Sequence, residues 1–592
     1  MAPSPPAITP PLTDFSLPNL QALYGQGIPC PSDFSFPSHV IDYWALVQPE
    51  TPAIWWVSHD FKRERKVSYL ELKRESLKSA KLFRKRGLKK GDKVMIQTGR
   101  IVEWWFAVFG LMRIGAVPVP GTSLLVAKDL KYRAESCQAK AFIGDSTACE
   151  RFEEIAQSVN VSLVFQIRSN IDSSREQIGK GRIDYIEELN KVEKIKNEKE
   201  AKEVESQHSK NDLAIVFFTS GTTSNPKLVL LEAEYTLGHT ITGLWYKVTP
   251  GKVMCCMADL GWAKASYGSL GTFNLGGTYF VQPPPPGAFS PFHLLETLHR
   301  YPIESLCAPP TIYRTLCAGS SLKYLKDHPL KALNHVVGAG EPLNPSVINE
   351  WREATGLTIR DGWGQSESVL MVGNYDGVKV KEGSMGKPSP FFEIGIIGSR
   401  GEELGVGEEG EIGVRTDQGA GTCYIFKGYI KNGKVDKRQK SHGGKTWYCT
   451  GDRGIKDEDG YFTFVSRDDD IIGSAGYRIG PFEVESALKT YPAVLESAAV
   501  GTPDLARGEA VKAFIILSED YKHHATGEKA KTLISEITSH FRKVTAPYKV
   551  PREIEFVDEL PKTVSGKIRR VELRNLEKER KKDILAKIKA KL

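Results

Sequence analysis

Along the chain, short apolar runs alternate with longer mixed stretches, and the alternation changes character twice. From about residue 36 to 190, helical stretches such as YLELKRESLKSAKLFRKRG (69–87) alternate with short runs such as DKVMIQTG (92–99), the pattern of an α/β layer. The most apolar segment, WWFAVFGLM (104–112), is cut by Arg113 and soon meets Pro118 and Pro120. That is well short of a membrane span and predicts a buried helix. The charged segment 191–212 reads as an exposed connector or a frayed helix. LAIVFF (213–218) and LVLL (228–231) predict two strands flanking a polar loop. NHVVGAGEPLNP (334–345) and LTIRDGWGQSES (357–368) each read as a strand running into a Gly-rich loop, the place where α/β sheets collect ligands. After about 395 the texture shifts to short strands with Asp-Gly turns, and from about 470 a compact α+β module of some 120 residues is expected. The fold class is therefore α/β: layered subdomains and a small β-rich subdomain at 36–467, a smaller α+β domain at 468–592, and a tail expected to be disordered at 1–35.

Composition narrows the function classes. Of the 592 residues, 40% are apolar and 26% charged, as in soluble globular enzymes. The formal charge of +8 invites a nucleic-acid reading, but residues 567–592 hold eleven Lys or Arg against four Asp or Glu, so the rest is nearly neutral. With no nucleic-acid-binding motif, such a partner is not expected. The nine cysteines and twelve histidines show no metal-ligand spacing, and free thiols are expected. MAPSPPAITPPLTD has neither the features of a signal peptide nor those of an amphipathic transit helix.

The loop TSGTTSNPK (219–227) carries the most specific chemistry. Thr219, Ser220, Thr222 and Thr223 place hydroxyl donors around Gly221, with Lys227 close behind. Rotatable hydroxyls and exposed backbone N–H groups suit phosphate oxygens. The order is not that of a Walker loop, which reads G-x-x-x-x-G-K-[ST] and opens a helix.

Taken together, TSGTTSNPK, GAGEPL (338–343), WGQSE (363–367), YCTGDRG (448–454), SRDDDIIGSAGYRIGPFEVE (466–485) and PKTVSGKIRR (561–570) resemble the motifs of the acyl-adenylate-forming enzymes, in family order over nearly the whole chain. The front half looks most like medium-chain acyl-CoA synthetases. The resemblance implies ATP, Mg²⁺ and coenzyme A as partners of a carboxylic acid. It implies that residues 219–223 and Lys227 hold phosphates, and that Gly340, Glu341 and Pro342 line the adenine. It further implies that Asp361, Trp363, Gly364, Gln365 and Ser366 complete the nucleotide site, with Trp363 stacking on the base. Asp452 would take the ribose hydroxyls, assisted by Arg467; Glu367 would bind the metal; Lys567, with Glu367 and Thr222, would be catalytic. For the thioester step the C-terminal domain would pivot at Asp469, and Gly476, Tyr477 and Arg478 would face coenzyme A.

Two departures from the family pattern are Ser224, where glycine is usual, and Ala475, where serine is commoner. Acetate-specific members carry tryptophan at the position of Gly364, so an open pocket floor and a medium-chain or aromatic acid are expected, with Trp262, Tyr267 and Gly338 as further pocket residues. Two other readings stay open: transfer of the acyl group to a carrier-protein thiol, and a non-catalytic binding member of the fold. Finally, Ala590, Lys591 and Leu592 resemble a peroxisomal import address, which leads to an expectation of the import receptor as partner and of peroxisomal localisation.

Overall fold

The computed structural model describes residues 28–168, 177–219, 226–287, 289–418, 423–431, 434–468, 470–475, 477–562, 567–583 and 586. Its strands form five sheets among these residues. The largest has nine strands. Its centre is parallel, with Arg360–Gly364, His335–Ala339, Ser305–Ala308, Val253–Cys256, Thr278–Val281 and Pro52–Val57 side by side. A second sheet, around Lys93–Gln97, is fully parallel, as the alternating pattern of the first block predicts. Strands buried on both faces read as unbroken apolar runs, and Ala141–Gly144 is one of them.

The helix Glu103–Arg113 is apolar all round because it lies inside the molecule, buried from Trp104 to Arg113. The neighbouring helix Tyr69–Lys85 is amphipathic. Ser68 caps it by accepting from the Glu71 N–H at 3.2 Å, and Arg84 and Lys85 sit at its C-terminal end, where cations suit the helix dipole. Among the described residues, no helix is long and apolar enough to cross a membrane.

The charged stretch 191–212 is a connector of exposed and half-buried residues, as its composition predicts, with Val204 its one buried residue. It forms a helix at Glu198–Val204, and the next residue, Glu205, pairs with the fully buried guanidinium of Arg113. Arg113 also takes Asp42 at 2.6 Å and the Ser76 hydroxyl at 2.9 Å. A buried arginine needs all its donors met, and the connector supplies one of the partners.

Leu213–Thr219 and Lys227–Glu232 pair antiparallel, as the two apolar runs predict, and present the loop between them; residues 220–225, including Ser220, Gly221, Thr222, Thr223 and Ser224, lie outside the described residues. The β-rich subdomain is built on the long strand Lys445–Lys456, which pairs with Phe462–Arg467. A separate five-stranded sheet, drawn from residues 472–556, belongs to the small C-terminal domain and has its own core around Ile479, Val484, Phe514, Ile537 and Phe541.

Candidate active site

The ends of several strands converge on one cleft. Trp363 and Gln365, leaving Arg360–Gly364, meet Asp452 from Lys445–Lys456. The Trp363 Nε1–H donates to Asp452 Oδ2 at 2.9 Å, and Gln365 Nε2–H donates to the same oxygen at 2.8 Å. Gln365 is held at both ends, since it also donates to Thr450 O at 3.1 Å and accepts from the Tyr448 hydroxyl at 3.0 Å. Antiparallel pairing sets Asp452 opposite Arg467, whose Nη1 stands 3.7 Å from Oδ1. One carboxylate oxygen is thus saturated by protein donors, and Oδ1 faces the arginine.

Glu367 is 7% exposed. The Tyr429 hydroxyl donates to its Oε1, and the Lys227 ammonium lies 5.2 Å from the Tyr429 ring centroid. The tyrosine therefore joins the strand Lys227–Glu232 to Glu367. Burial raises the pKa of this carboxyl, and Asp452 adds to the effect; the Tyr429 hydrogen bond and Arg467 oppose it. Asp361 is pushed further, up to about 8, chiefly by burial and against the lowering effect of the Gly362 and Leu343 N–H groups and of Lys264. Its side chain is buried, which is the source of that shift.

The loop after His335–Ala339 needs its glycine. Gly340 has φ +105°, in the left-handed region, and a Cβ there would lie 2.9 Å from Lys264 Nζ, which donates to the Ala339 carbonyl. Glu341 pairs with Arg314 at 3.2 Å, and Pro342 follows it in the same loop. Gly338 is buried, but a Cβ on it would meet only ordinary contacts at 3.5 Å or beyond. Gly364 differs: a Cβ on it would lie 2.6 Å from Val369 O, so the adjacent strand occupies the space the glycine leaves. The half-buried Trp262 caps the helix Ala263–Asn274. One turn into that helix, the Tyr267 hydroxyl donates to Ser368 O, which places these two expected pocket walls next to the loop containing Ser366.

Lys567 reaches the cleft from the C-terminal domain. Its surface is exposed to solvent, with protein packed around the remainder. That enclosure lowers the pKa of its ammonium, repulsion from Arg467 and Lys264 lowers it further, and Asp452 and Glu341 pull the other way. A lysine near the end of the chain therefore shares a field with residues that precede it by a hundred to three hundred positions.

Of the other expected positions, Asp469 and Gly476 lie outside the described residues. Tyr477 is 53% exposed and stacks on Tyr548, with centroids 4.5 Å apart and planes 13° apart. Arg478 belongs to the strand Tyr477–Ile479, with its backbone paired to Gly473. The sequence reading missed Tyr429, Tyr448, Tyr548 and Lys264. The first three carry no local signal, whereas Lys264 is the one charged residue of its helix.

Sheet order and the pairing of a large N-terminal domain with a small C-terminal one define an adenylate-forming fold. Residues 41–430 match the AMP-binding enzyme family and residues 483–567 the AMP-binding enzyme C-terminal domain. The chain belongs to the AMP-binding enzyme family. It is 40% identical over 560 residues to the human mitochondrial acyl-coenzyme A synthetase ACSM3, covering 92% of this chain and 90% of that protein. It is likewise 40% identical over 559 residues to mouse mitochondrial ACSM4, covering 93% and 91%. Among solved structures, an anthranilate CoA ligase, AuaEII, in complex with anthranoyl-AMP superposes with a TM-score of 0.79 at 26% identity, covering 93% of this chain and 98% of that one. A Brucella canis acyl-CoA synthetase gives 0.66 at 29%, covering 96% and 98%.

These relatives overturn one expectation. The ACSM proteins that align over nine-tenths of the chain are designated mitochondrial, which points away from peroxisomal localisation and from an import receptor acting through Ala590, Lys591 and Leu592. A three-residue match in a lysine-rich tail carries little information, and those residues lie outside the described ones.

Proposed function

We propose that the protein is an AMP-forming acyl-CoA ligase that activates a medium-chain or aromatic carboxylic acid as its acyl-adenylate and then transfers the acyl group to coenzyme A. The observation that carries this reading is the convergence of Lys567, Arg467, Asp452 and Glu341 on the cleft beside Trp363 and Glu367. In the first half-reaction a carboxylate oxygen attacks the α-phosphorus of ATP, the bridging P–O bond breaks, and pyrophosphate leaves with the electron pair. Positioning and charge neutralisation are the main tasks left to the protein. Asp452 Oδ1 accepts from the ribose, Trp363 lies against the base, and Lys567 bridges the carboxylate and the α-phosphate as a point charge. Residues 219–223 and Lys227 hold the outer phosphates, with Thr222 among the catalytic donors.

Glu367 would hold Mg²⁺, which would neutralise the phosphate charge. Among the described residues no three potential metal ligands gather. A single carboxylate fits an ion that takes most of its ligands from phosphates and water.

For the second half-reaction the C-terminal domain, from 468 onward, turns about Asp469. Its neighbours support this pivot. The Asp468 N–H donates to Gly451 O at 2.9 Å on the large domain, while Asp470 pairs with Arg574 at 2.6 Å on the small one. Gly476, Tyr477 and Arg478 then meet coenzyme A, with the stacked Tyr477–Tyr548 pair offering a flat apolar face.

The test is acid-dependent ATP–pyrophosphate exchange and thioester formation across acids from C2 to C16 plus benzoate. Exchange and acyl-CoA with medium-chain or aromatic acids are expected. Exchange without acyl-CoA, relieved by a carrier protein, would redirect the acceptor; no exchange with any acid would leave a binding protein.

A further inference from the structure

The cleft holds a third cation that the reaction as written above does not use. Lys264 is the second residue of the helix Ala263–Asn274, which starts at the cleft, so the helix dipole adds to its charge. Its ammonium donates one N–H to Ala339 O, against the glycine of the adenine loop. An ammonium has three donors, and among the described residues no carboxylate pairs with this one. Arg467, Lys567 and Lys264 stand close enough for the first and last to repel the second. Three cations sharing a cleft, with Asp452 engaged by Trp363, Gln365 and Arg467, Glu341 by Arg314, and Glu367 by Tyr429, form a site suited to a bound anion.

Position within the cleft selects which anion. The triphosphate end is marked by Lys227, Tyr429 and Glu367. Lys264 lies elsewhere, three residues before Tyr267 and so on the same helix face, and Tyr267 reaches Ser368 O. That is the acid's side of the adenine loop.

We propose that Lys264 binds the carboxylate of the acid substrate, holding one oxygen opposite Lys567 while the other attacks the α-phosphorus; this rests on the ligase reading above. Lys264 acts as a carboxylate-binding residue, and an acid analogue lacking the negative charge forfeits the charge assistance of its hydrogen bond.

The experiment compares wild type, Lys264→Met and Lys264→Arg in pyrophosphate exchange and in direct binding of the acid and its neutral carboxamide with AMP present. Wild type is expected to prefer the carboxylate by about 10- to 100-fold, the range of a charge-assisted hydrogen bond. In Lys264→Met that preference should collapse to within about threefold, with KM for the acid raised and KM for ATP little changed. Lys264→Arg should retain part of the preference. If Lys264→Met weakens acid and carboxamide equally, or raises KM for ATP instead, Lys264 is a prop for Gly340 or a phosphate ligand, and the proposal is overturned. Should the methionine variant not fold, Lys264→Gln, which keeps a donor for Ala339 O, is read the same way. Wild type that binds acid but shows no exchange would count against the ligase reading while the binding comparison still decides Lys264.

Discussion

Single residues in the cleft owe their chemistry to burial as much as to identity. On the proposed mechanism, in which the lysine acts in the first arrangement only, Lys567→Ala is expected to abolish adenylate formation while largely sparing thioester formation from supplied acyl-adenylate. Equal loss of both half-reactions in single-turnover assays would contradict this. Since its ammonium titrates below the usual lysine range, the alkaline limb of the exchange rate should lie below the roughly 10.4 of an ordinary lysine. Asp361 offers a stability test. It titrates at about 8 in the fold and near 3.9 when unfolded. Between those values the folded state holds a proton that the unfolded chain has lost, so stability falls as pH rises through the window and levels above it. Asp361→Asn removes the titration. Urea unfolding of the free protein should show the variant gaining on wild type from about pH 4 to about pH 8 and no further.

At the level of elements, the link between the domains is bracketed by anchors. Asp468 is tied to Gly451 and stands 3.6 Å from Arg453, while Asp470 takes Arg574, with Arg570 at 3.6 Å and Arg570 itself forked onto Glu485. Asp469→Pro, which fixes φ, should allow adenylate to form while CoA transfer stalls; stopped-flow assays of the separate half-reactions would show whether it does. The hairpin beyond stores strain at Ala475, which has φ +51° and donates its N–H to Arg507 O at 3.0 Å. Ala475 is one of the two departures from the family pattern. The backbone makes it a left-handed residue with a Cβ, at a cost of roughly 1 kcal/mol. Ala475→Gly should raise the stability of the C-terminal domain by about that amount or less, because glycine also loosens the unfolded chain. Gly364 is constrained in another way. Since Val369 O would be 2.6 Å from its Cβ, Gly364→Trp must displace the strand Leu370–Gly373. It is expected to lower the melting temperature along with activity on longer acids, rather than narrowing the pocket alone.

For the whole molecule, the small domain has a core of its own, and the cleft draws groups from both domains. A non-reacting acyl-adenylate analogue should therefore stabilise the large domain directly and the small one through Lys567. At a hundredfold excess over Kd the gain is about 2.7 kcal/mol. Calorimetry should show the large-domain transition shifting by that order in wild type, and Lys567→Ala should weaken the shift of the small domain. A shift absent from both transitions would mean that the cleft does not bind the adenylate.

Much was legible from the sequence because its signals are local. Apolar period and length marked Glu103–Arg113 as a buried helix and Leu213–Thr219 with Lys227–Glu232 as the strands around the phosphate loop. The resemblance of six motifs to those of the acyl-adenylate-forming enzymes supplied the expected order of loops around a nucleotide. Other features depend on distance in space, which spacing along the chain does not encode. Tyr429 meets Glu367 across 62 positions, and Glu205 docks on Arg113 across 92. The Asp361 carboxyl is pushed up, and Lys264 and Lys567 become neighbours, only when strands and helices from both ends of the chain close on one cleft. The chain by itself determined where the strands, the helices and the motif-bearing loops between them lie. Tertiary structure decided which charges face one another and which are buried, because ionisation and hydrogen bonding respond to solvent exclusion and separation in space.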